Sequence, residues 1–285
     1  MERPSVFYTP FFRSTVASVT HLHTLHRLPD DTGAWVARAP GAGAGEPAIL
    51  LLHGAGMDHR AWEAQLVALG RRGVRAYAAD LPGHGHSSGP AFTGIAALAS
   101  WTLQLVDVLA LERLALAGHS MGALIALDAA ARLGDRVTGL ALIGAALEMP
   151  VNPALLTAAG RDLDQAATMI ASWAFGPAAQ SDGRAEAGRQ MILGASPGVL
   201  AADLAACASF RDAASLAGRV TCPALVVAGA MDRMTPARRG RALAEALCGA
   251  EFVELPEIGH MLPSEAPDAV TDALVRIAGG KRAGR

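Results

Sequence analysis

The chain has 285 residues, 52% of them hydrophobic, and a formal net charge of −2 at pH 7. A chain of this length and hydrophobicity can bury a large core, as one α/β domain with an insertion would. The nearly neutral charge argues against a nucleic-acid-binding protein, which needs a basic surface.

Cysteine usage and the apolar pattern favour a cytoplasmic protein. Cys207, Cys222 and Cys248 are odd in number, and their spacing matches no metal or redox motif. Residues 1–4 begin no signal-peptide run, and no uninterrupted apolar stretch is long enough to cross a bilayer. We therefore expect a reducing compartment, no membrane span and no nucleic-acid partner.

The first 46 residues predict weak strands and one flexible turn. Residues 16–28 alternate partly in hydrophobicity, 34–39 are typical of a second strand, and the glycine-rich run 41–45 predicts a turn. This stretch is longer than the sheet requires. It could add strands, cover the sheet edge or mediate a homodimer, and the sequence leaves all three open.

Strands and helices alternate from residue 48 onward. Short apolar runs, which suit strands buried on both faces of a parallel sheet, alternate with segments of helical spacing. The alternation predicts an α/β fold with a mostly parallel, doubly wound β-sheet and right-handed crossovers. The predicted strands are 48–52, 74–79, 114–117, 137–143, 220–228 and 251–255, and the predicted helices are 62–72, 95–109, 123–133, 238–247 and 267–277.

The alternation breaks after Ala146. Residues 147–216 show helical periodicity without a strong strand, and four prolines divide them into short pieces. No internal repeat or long linker separates independent domains. We therefore predict a core formed by residues 1–146 and 217–285, with residues 147–216 as a helical cap.

Gly118-His119-Ser120-Met121-Gly122 matches the nucleophile pattern G-x-S-x-G in a strand–turn–helix context. A turn that lifts the serine hydroxyl above the sheet edge strains Ser120, and side chains at 118 and 122 would clash with neighbouring backbone. The following helix N-terminus presents free N–H groups to developing negative charge. The pattern also arises by chance in a chain with 31 glycines, but its context favours Ser120 as a nucleophile.

Four motifs together resemble the α/β-hydrolase superfamily, in its capped esterase, haloperoxidase-like and C–C-hydrolase-like branch. The resemblance covers the chain from about residue 48 onward and implies the α/β-hydrolase fold with a cap. It also implies a catalytic triad in the order Ser, Asp or Glu, His, but it says little about the substrate. The motifs are His53-Gly54-Ala55-Gly56, DLPGHGHS at 80–87, Gly118 to Gly122, and Gly259-His260.

One histidine fits the position of the base in that order. Eight of the nine histidines precede Ser120, and only His260 follows it, in a loop that resembles the family's histidine loop. Histidine can take the serine proton and return it to the leaving group near neutral pH. Asp232 lies in a loop that resembles the family's acid loop and is the predicted acid, while Glu148 after strand 137–143 stays the alternative.

Two backbone N–H groups are the expected oxyanion hole. Met121 is a predicted donor because it directly follows the nucleophile. The resemblance implies Ala55 as the second donor, with Gly54 and Gly56 letting the backbone approach closely. His53 is expected to brace this loop through hydrogen bonds.

No cofactor or metal is expected. The histidines at 21, 23 and 26 lack a matching carboxylate cluster, and no G-x-G-x-x-G or P-loop is present. The resemblance implies that the pair at 84 and 86 belongs to a loop beside the active site. Asp80 is expected to fix turn geometry. The larger side chains of the cap either pack on one another or line an apolar pocket over the serine, and both interpretations stay open. These side chains are Met169, Trp173, Phe175, Met191 and Phe210.

We therefore predict a cofactor-free serine hydrolase that cleaves a small to medium carboxylic ester, lactone or related apolar acyl substrate through an acyl-enzyme on Ser120. One alternative is a C–C bond hydrolase of a vinylogous diketone, which needs polar groups for an enolate and a second carboxylate. Arg184, Arg189 and Arg211 are candidates for that task. The other alternative is a non-catalytic binding protein with a hydrolase fold.

Overall fold

An eight-stranded sheet forms the centre of the computed structural model, which describes residues 22–41 and 48–279. The strand order is β1-β2-β4-β3-β5-β6-β7-β8. The strands are β1 (Leu22–Arg27), β2 (Gly33–Arg38), β3 (Ala48–Leu52), β4 (Ala76–Ala79), β5 (Leu114–His119), β6 (Val137–Ile143), β7 (Ala224–Gly229) and β8 (Glu251–Leu255).

Six strands of the sheet, from β4 to β8 in space, pair in parallel. β2 pairs antiparallel with both β1 and β4, so β1 adds a strand at one edge. The predicted α/β class with a mostly parallel sheet is confirmed, although the sequence did not predict the antiparallel pairings. Residues 16–21 of the first predicted strand and 42–45 of the predicted turn lie outside the described residues. A homodimer stays a prediction.

Helices cover both faces of the sheet because alternate strand residues are apolar on both sides. Ile49 and Leu51 of β3 belong to one large hydrophobic cluster, and Leu50 and Leu52 belong to a second one. Each of these side chains is fully buried, which contributes roughly 1.5–3 kcal/mol per residue. The helices are α1 (Glu63–Arg71), α2 (Ile95–Val108), α3 (Met121–Leu133), α4 (Pro153–Arg161), α5 (Leu163–Ala174), α6 (Pro177–Ser181), α7 (Arg184–Leu193), α8 (Val199–Ser209), α9 (Ala213–Ala217), α10 (Ala237–Ala246), α11 (Leu262–Glu265) and α12 (Pro267–Ala278).

Helices α4–α8, called the insertion helices below, follow β6 and build a hydrophobic cluster of their own. Leu155, Ile170 and Leu204 are among its buried members. α9 packs differently, since Ala213 and Leu216 belong to the cluster on the sheet. The domain division at residues 147 and 216 stays a prediction. In the described part of the chain, no helix combines the length and apolarity needed to cross a membrane.

Two helical glycines make a matched pair for testing how closely α1 approaches the segment that follows β2. A Cβ on Gly70 of α1 would overlap the carbonyl group of Pro40, whereas one on Gly160 of α4 would meet no atom within 4 Å. We expect Gly160→Ala to stabilise the protein by about 0.5–1 kcal/mol, through helix propensity alone. Gly70→Ala should destabilise it by about 1–3 kcal/mol, because backbone must shift. Urea unfolding measures both, and equal effects would contradict the packing described.

Candidate active site

Loops at the carboxyl edge of the sheet bring the predicted site residues together. Ala55 follows β3, Ser120 follows β5, Asp232 follows β7 and His260 follows β8. Because these strands are parallel, their carboxyl ends meet at one edge, where ligands of open α/β sheets bind.

Ser120 occupies a strained turn between β5 and α3, with φ +54° and ψ −117°. A non-glycine residue in that region costs of order 1–3 kcal/mol, so the surroundings must hold it. A Cβ on Gly118 would overlap the backbone of Gly122, and one on Gly122 would overlap the carbonyl of Leu52. The N–H of Ser120 donates to the Ile143 carbonyl at 2.8 Å. The prediction that side chains at positions 118 and 122 would clash with neighbouring backbone is confirmed.

The side chains of Ser120, His260 and Asp232 form one hydrogen-bonded chain. His260 Nε2 lies 3.0 Å from Ser120 Oγ, and His260 Nδ1 lies 2.8 Å from Asp232 Oδ2. A carboxylate only accepts, so Nδ1–H donates to Asp232 and leaves Nε2 free to accept the serine proton. Glu148, the alternative acid, is exposed and makes no hydrogen bond to His260 in the described residues.

Asp232 is held by its own loop. Its Oδ1 accepts from the N–H groups of Met234 and Thr235, both at 2.8 Å, and its Oδ2 accepts from Thr235 Oγ1 at 2.6 Å. Burial alone would raise the pKa of Asp232, but the charge and hydrogen bond of His260 together with the Thr235 bonds hold that pKa below its usual value. The acid is therefore ionised. Sequence reasoning missed Thr235, although a threonine three residues after an aspartate is a local turn signal.

Glu265 fixes the loop that carries His260. Its buried carboxylate accepts from the N–H groups of Gly176 at 2.7 Å, Gly259 at 3.1 Å and Met261 at 3.0 Å. Gly176 follows α5, so one carboxylate joins an insertion helix to the histidine loop. Nothing local in the sequence distinguishes Glu265 from a surface glutamate, and it was not predicted.

The two predicted oxyanion donors lie in different segments, Ala55 in the loop after β3 and Met121 at the start of α3. His53 Nδ1–H donates to the Gly54 carbonyl at 2.9 Å, and its Nε2 accepts from Leu81 N–H at 3.1 Å, so His53 braces the loop as predicted. In a trans peptide the N–H points opposite to the C=O, which turns Ala55 N–H away from His53. Within the described residues, neither Ala55 N–H nor Met121 N–H donates to a protein acceptor.

His119 is a buried neutral ring beside the serine. Its Nε2–H donates to the His260 carbonyl at 2.8 Å, while Nδ1 has no partner in the described part of the chain. Burial, reinforced by the neighbouring His260, lowers the pKa of His119 to about 3. The ring therefore carries no charge next to Ser120 near neutral pH.

A cavity of about 400 Å³ opens over Ser120 and His260. Trp173 lies on its wall, as predicted for a pocket-lining side chain. Phe175 and Phe210 instead pack in the hydrophobic clusters, so each of the two interpretations applies to some of these residues. Arg233 adds a cationic, exposed side chain. The apolar wall is formed by Met57, Met149, Val151, Leu155, Ile170, Trp173, Leu204 and Met261.

Hydrogen bonds in the loops around Asp80 explain why three potential metal ligands lie close together. Among the described residues, Asp58, His59 and Asp80 place ligand atoms within 4.8 Å of one another. Asp80 accepts from the backbone and ring of His59 at 2.7 Å and from His86 N–H at 2.8 Å, and Asp58 pairs with Arg60. These bonds give Asp80 the turn-fixing role predicted for it. Of the discounted histidines, His21 lies outside the described residues.

The chain belongs to the alpha/beta hydrolase family, whose family model matches residues 49–273. It is 31% identical over 231 residues to the pimeloyl-[acyl-carrier protein] methyl ester esterase of Chromobacterium violaceum, covering 75% of this chain and 87% of that protein. It is 32% identical over 250 residues to the dihydrolipoyllysine-residue acetyltransferase component of the acetoin cleaving system of Pseudomonas putida. That match covers 82% of this chain but only 64% of the relative's length.

The crystal structure of the enol-lactonase from Burkholderia xenovorans LB400 has the same fold. The TM-score is 0.81 at 26% identity, over 89% of this chain and 99% of that chain. The predicted family is confirmed, and so is the prediction of an enzyme: the protein is a hydrolase.

Buried neutral histidines predict a loss of stability in acid. The pKa of His119 is about 3 in the folded protein, against an ordinary 6.5, so below pH 6.5 the unfolded chain binds a proton that the folded chain does not. Each pKa unit corresponds to about 1.4 kcal/mol, so the contribution falls by about 2–3 kcal/mol between pH 7 and 4.5. Between pH 7 and 4.5, we expect the free energy of unfolding in urea to fall by about 2–3 kcal/mol less in His119→Gln than in the wild type.

The exposed His86→Gln variant is the control for this measurement. It should leave the pH dependence as in the wild type. A slope in His119→Gln equal to that of the wild type would contradict the buried, neutral state of His119.

Proposed function

We propose that the protein hydrolyses small to medium carboxylic esters or lactones through an acyl-enzyme on Ser120. The observation that carries this proposal is the continuous hydrogen-bonded chain from Ser120 Oγ through His260 to the ionised Asp232. This arrangement supplies a nucleophile, a general base and a group that orients and stabilises the base.

The proposed reaction follows from the positions of the protons. Ser120 Oγ attacks the carbonyl carbon while its proton passes to His260 Nε2, and Asp232 stabilises the resulting imidazolium. The carbonyl oxygen becomes an oxyanion that accepts from the free N–H groups of Ala55 and Met121. When the C–O bond to the leaving group breaks, His260 returns the proton to the departing alcohol. Water then attacks the acyl-enzyme by the same steps and releases the acid.

The cavity supports an apolar acyl group. Its wall is mostly aliphatic and its volume of about 400 Å³ is within the range of small-molecule sites. Two of the relatives are named as a methyl ester esterase and an enol-lactonase, which agrees with an ester or lactone carbonyl as the reacting group.

The arginine positions weigh against the C–C hydrolase alternative. Arg184 pairs with Asp182, Arg189 pairs with Asp164 and Glu186, and Arg211 donates to backbone carbonyls. None of the three lines the cavity, which leaves Arg233 as its cationic side chain. A substrate panel of acyl esters, lactones and vinylogous diketones separates the two functions: we expect turnover of esters or lactones, and preferential turnover of diketones would favour the alternative.

Two carboxylates give a matched test of the proposed acid. We expect Asp232→Asn to lower kcat for an aryl ester by about 10⁴-fold, because the histidine loses the partner that fixes its tautomer. Glu148→Gln, at the position of the alternative acid, should leave kcat within about twofold, since Glu148 does not contact His260. Steady-state kinetics measure both, and Ser120→Ala gives the background rate. The reverse pattern, with Glu148 essential and Asp232 dispensable, would contradict the assignment.

A further inference from the structure

Asp203 joins an insertion helix to the loop that carries the proposed oxyanion donor. It lies on α8, is fully buried, and its Oδ2 accepts from Gly56 N–H at 2.8 Å. The same oxygen lies 2.8 Å from Nε2 of His84, which belongs to the loop after β4. One carboxylate oxygen therefore connects three segments that are far apart in the sequence.

The contacts of His84 match a ring that carries protons on both nitrogens. Nε2 faces the Asp203 carboxylate and Nδ1 faces the Pro82 carbonyl at 3.0 Å, and neither of these groups can donate. Burial by itself would lower the pKa of His84, but the hydrogen bond and charge of Asp203 together with the Pro82 carbonyl and Asp80 hold it above its usual value. The two contacts and the raised pKa both favour an imidazolium paired with the Asp203 carboxylate.

The ring next to His84 remains neutral. The His53 and His84 ring centroids are 4.8 Å apart, and burial together with the charge of His84 lowers the pKa of His53 to about 4. His53 can therefore keep accepting from Leu81 N–H, which a protonated ring could not do. The charge on His84 is compatible with the bracing role of His53.

Burying a charged pair costs free energy, so its presence at this position indicates a specific role. Asp203 Oδ1 has no hydrogen-bond partner among the described residues, so the carboxylate is desolvated without full compensation. The task visible in the structure is the hold on Gly56, which has φ +66° and lies against Leu200 of α8. His53 fixes the peptide plane before Ala55 through the Gly54 carbonyl, and Asp203 fixes the plane after it through Gly56 N–H.

We propose that Asp203 and His84 are positioning residues that aim Ala55 N–H at the oxyanion, so that this donor is correctly placed only when α8 is docked on the core. The proposal rests on the hydrolytic function proposed above. By this proposal the insertion helices position an oxyanion donor as well as forming part of the cavity wall, because Asp203 on α8 binds the loop after β3. Neither residue lines the cavity, so both act through the backbone of the loop.

The test is a comparison of ground-state and transition-state binding. Asp203→Asn should lower kcat about 10–100-fold with KM within threefold, because a misaimed donor weakens only interactions with the oxyanion. Affinity for a trifluoromethyl ketone, which forms a hemiketal oxyanion on serine, should fall by a similar factor, whereas affinity for an unreactive amide analogue should not. Asp128→Asn, which removes a buried carboxylate from α3, is the control and should change neither.

A purely structural role for Asp203 predicts a different pattern. Asp203→Asn would then raise KM as well as lower kcat, with equal losses of affinity for the ketone and for the amide, and this result would overturn the proposal. If the variant does not fold, nitrogen-15 NMR of the wild type decides: two protonated ring nitrogens on His84 at pH 7 support the pair, and a neutral ring overturns it. Failure of the wild type to hydrolyse any ester would instead refute the proposed function, which the His84 spectrum does not test.

Discussion

The turn at Ser120 depends on three stretches of backbone that approach one another without intervening side chains. Gly118 and Gly122 face each other across the turn, and Gly122 also lies against the end of β3. This close contact keeps a serine in a backbone conformation that it would not adopt in an unfolded chain. It also sets the loop after β3 beside Ser120, where Ala55 N–H is free. The strain is therefore balanced by the same packing that assembles the site.

The surrounding polar groups extend this fixed centre outward to the insertion helices. Glu265 ties the histidine loop to the end of α5, and Asp203 ties the loop after β3 to α8. Both carboxylates accept backbone N–H groups in buried surroundings, where a hydrogen bond to a charged acceptor is strong and geometrically specific. The proposed base and the proposed oxyanion donor are thus each connected to one insertion helix. Displacement of these helices would loosen both at once.

The sequence predicted what local patterns encode. The apolar runs placed the core strands, with β3, β6 and β8 at their predicted bounds, and the glycines identified the turn at Ser120. The triad order that the family resemblance implies singled out His260, which does contact Ser120. β7 begins only at Ala224, because the residue before it is Pro223 and has no N–H to join the ladder.

Glu265 and Asp203 could not be predicted as part of the site in this way. Both act through partners that the fold brings from elsewhere: Gly176 for Glu265, and His84 for Asp203. Their residue types and spacing resemble those of ordinary helix or loop positions. Substrate choice is encoded in the same non-local way, since the cavity wall combines residues from several loops and insertion helices.

The central claim is that Ser120 forms a covalent bond with an electrophilic acyl or phosphonyl group. The most direct measurement is mass spectrometry of the intact wild-type protein after incubation with a fluorophosphonate, followed by peptide mapping. We expect one adduct per chain, located on Ser120, and its absence in Ser120→Ala under the same conditions. An adduct on another residue, or an unmodified protein that still hydrolyses esters, would contradict the account.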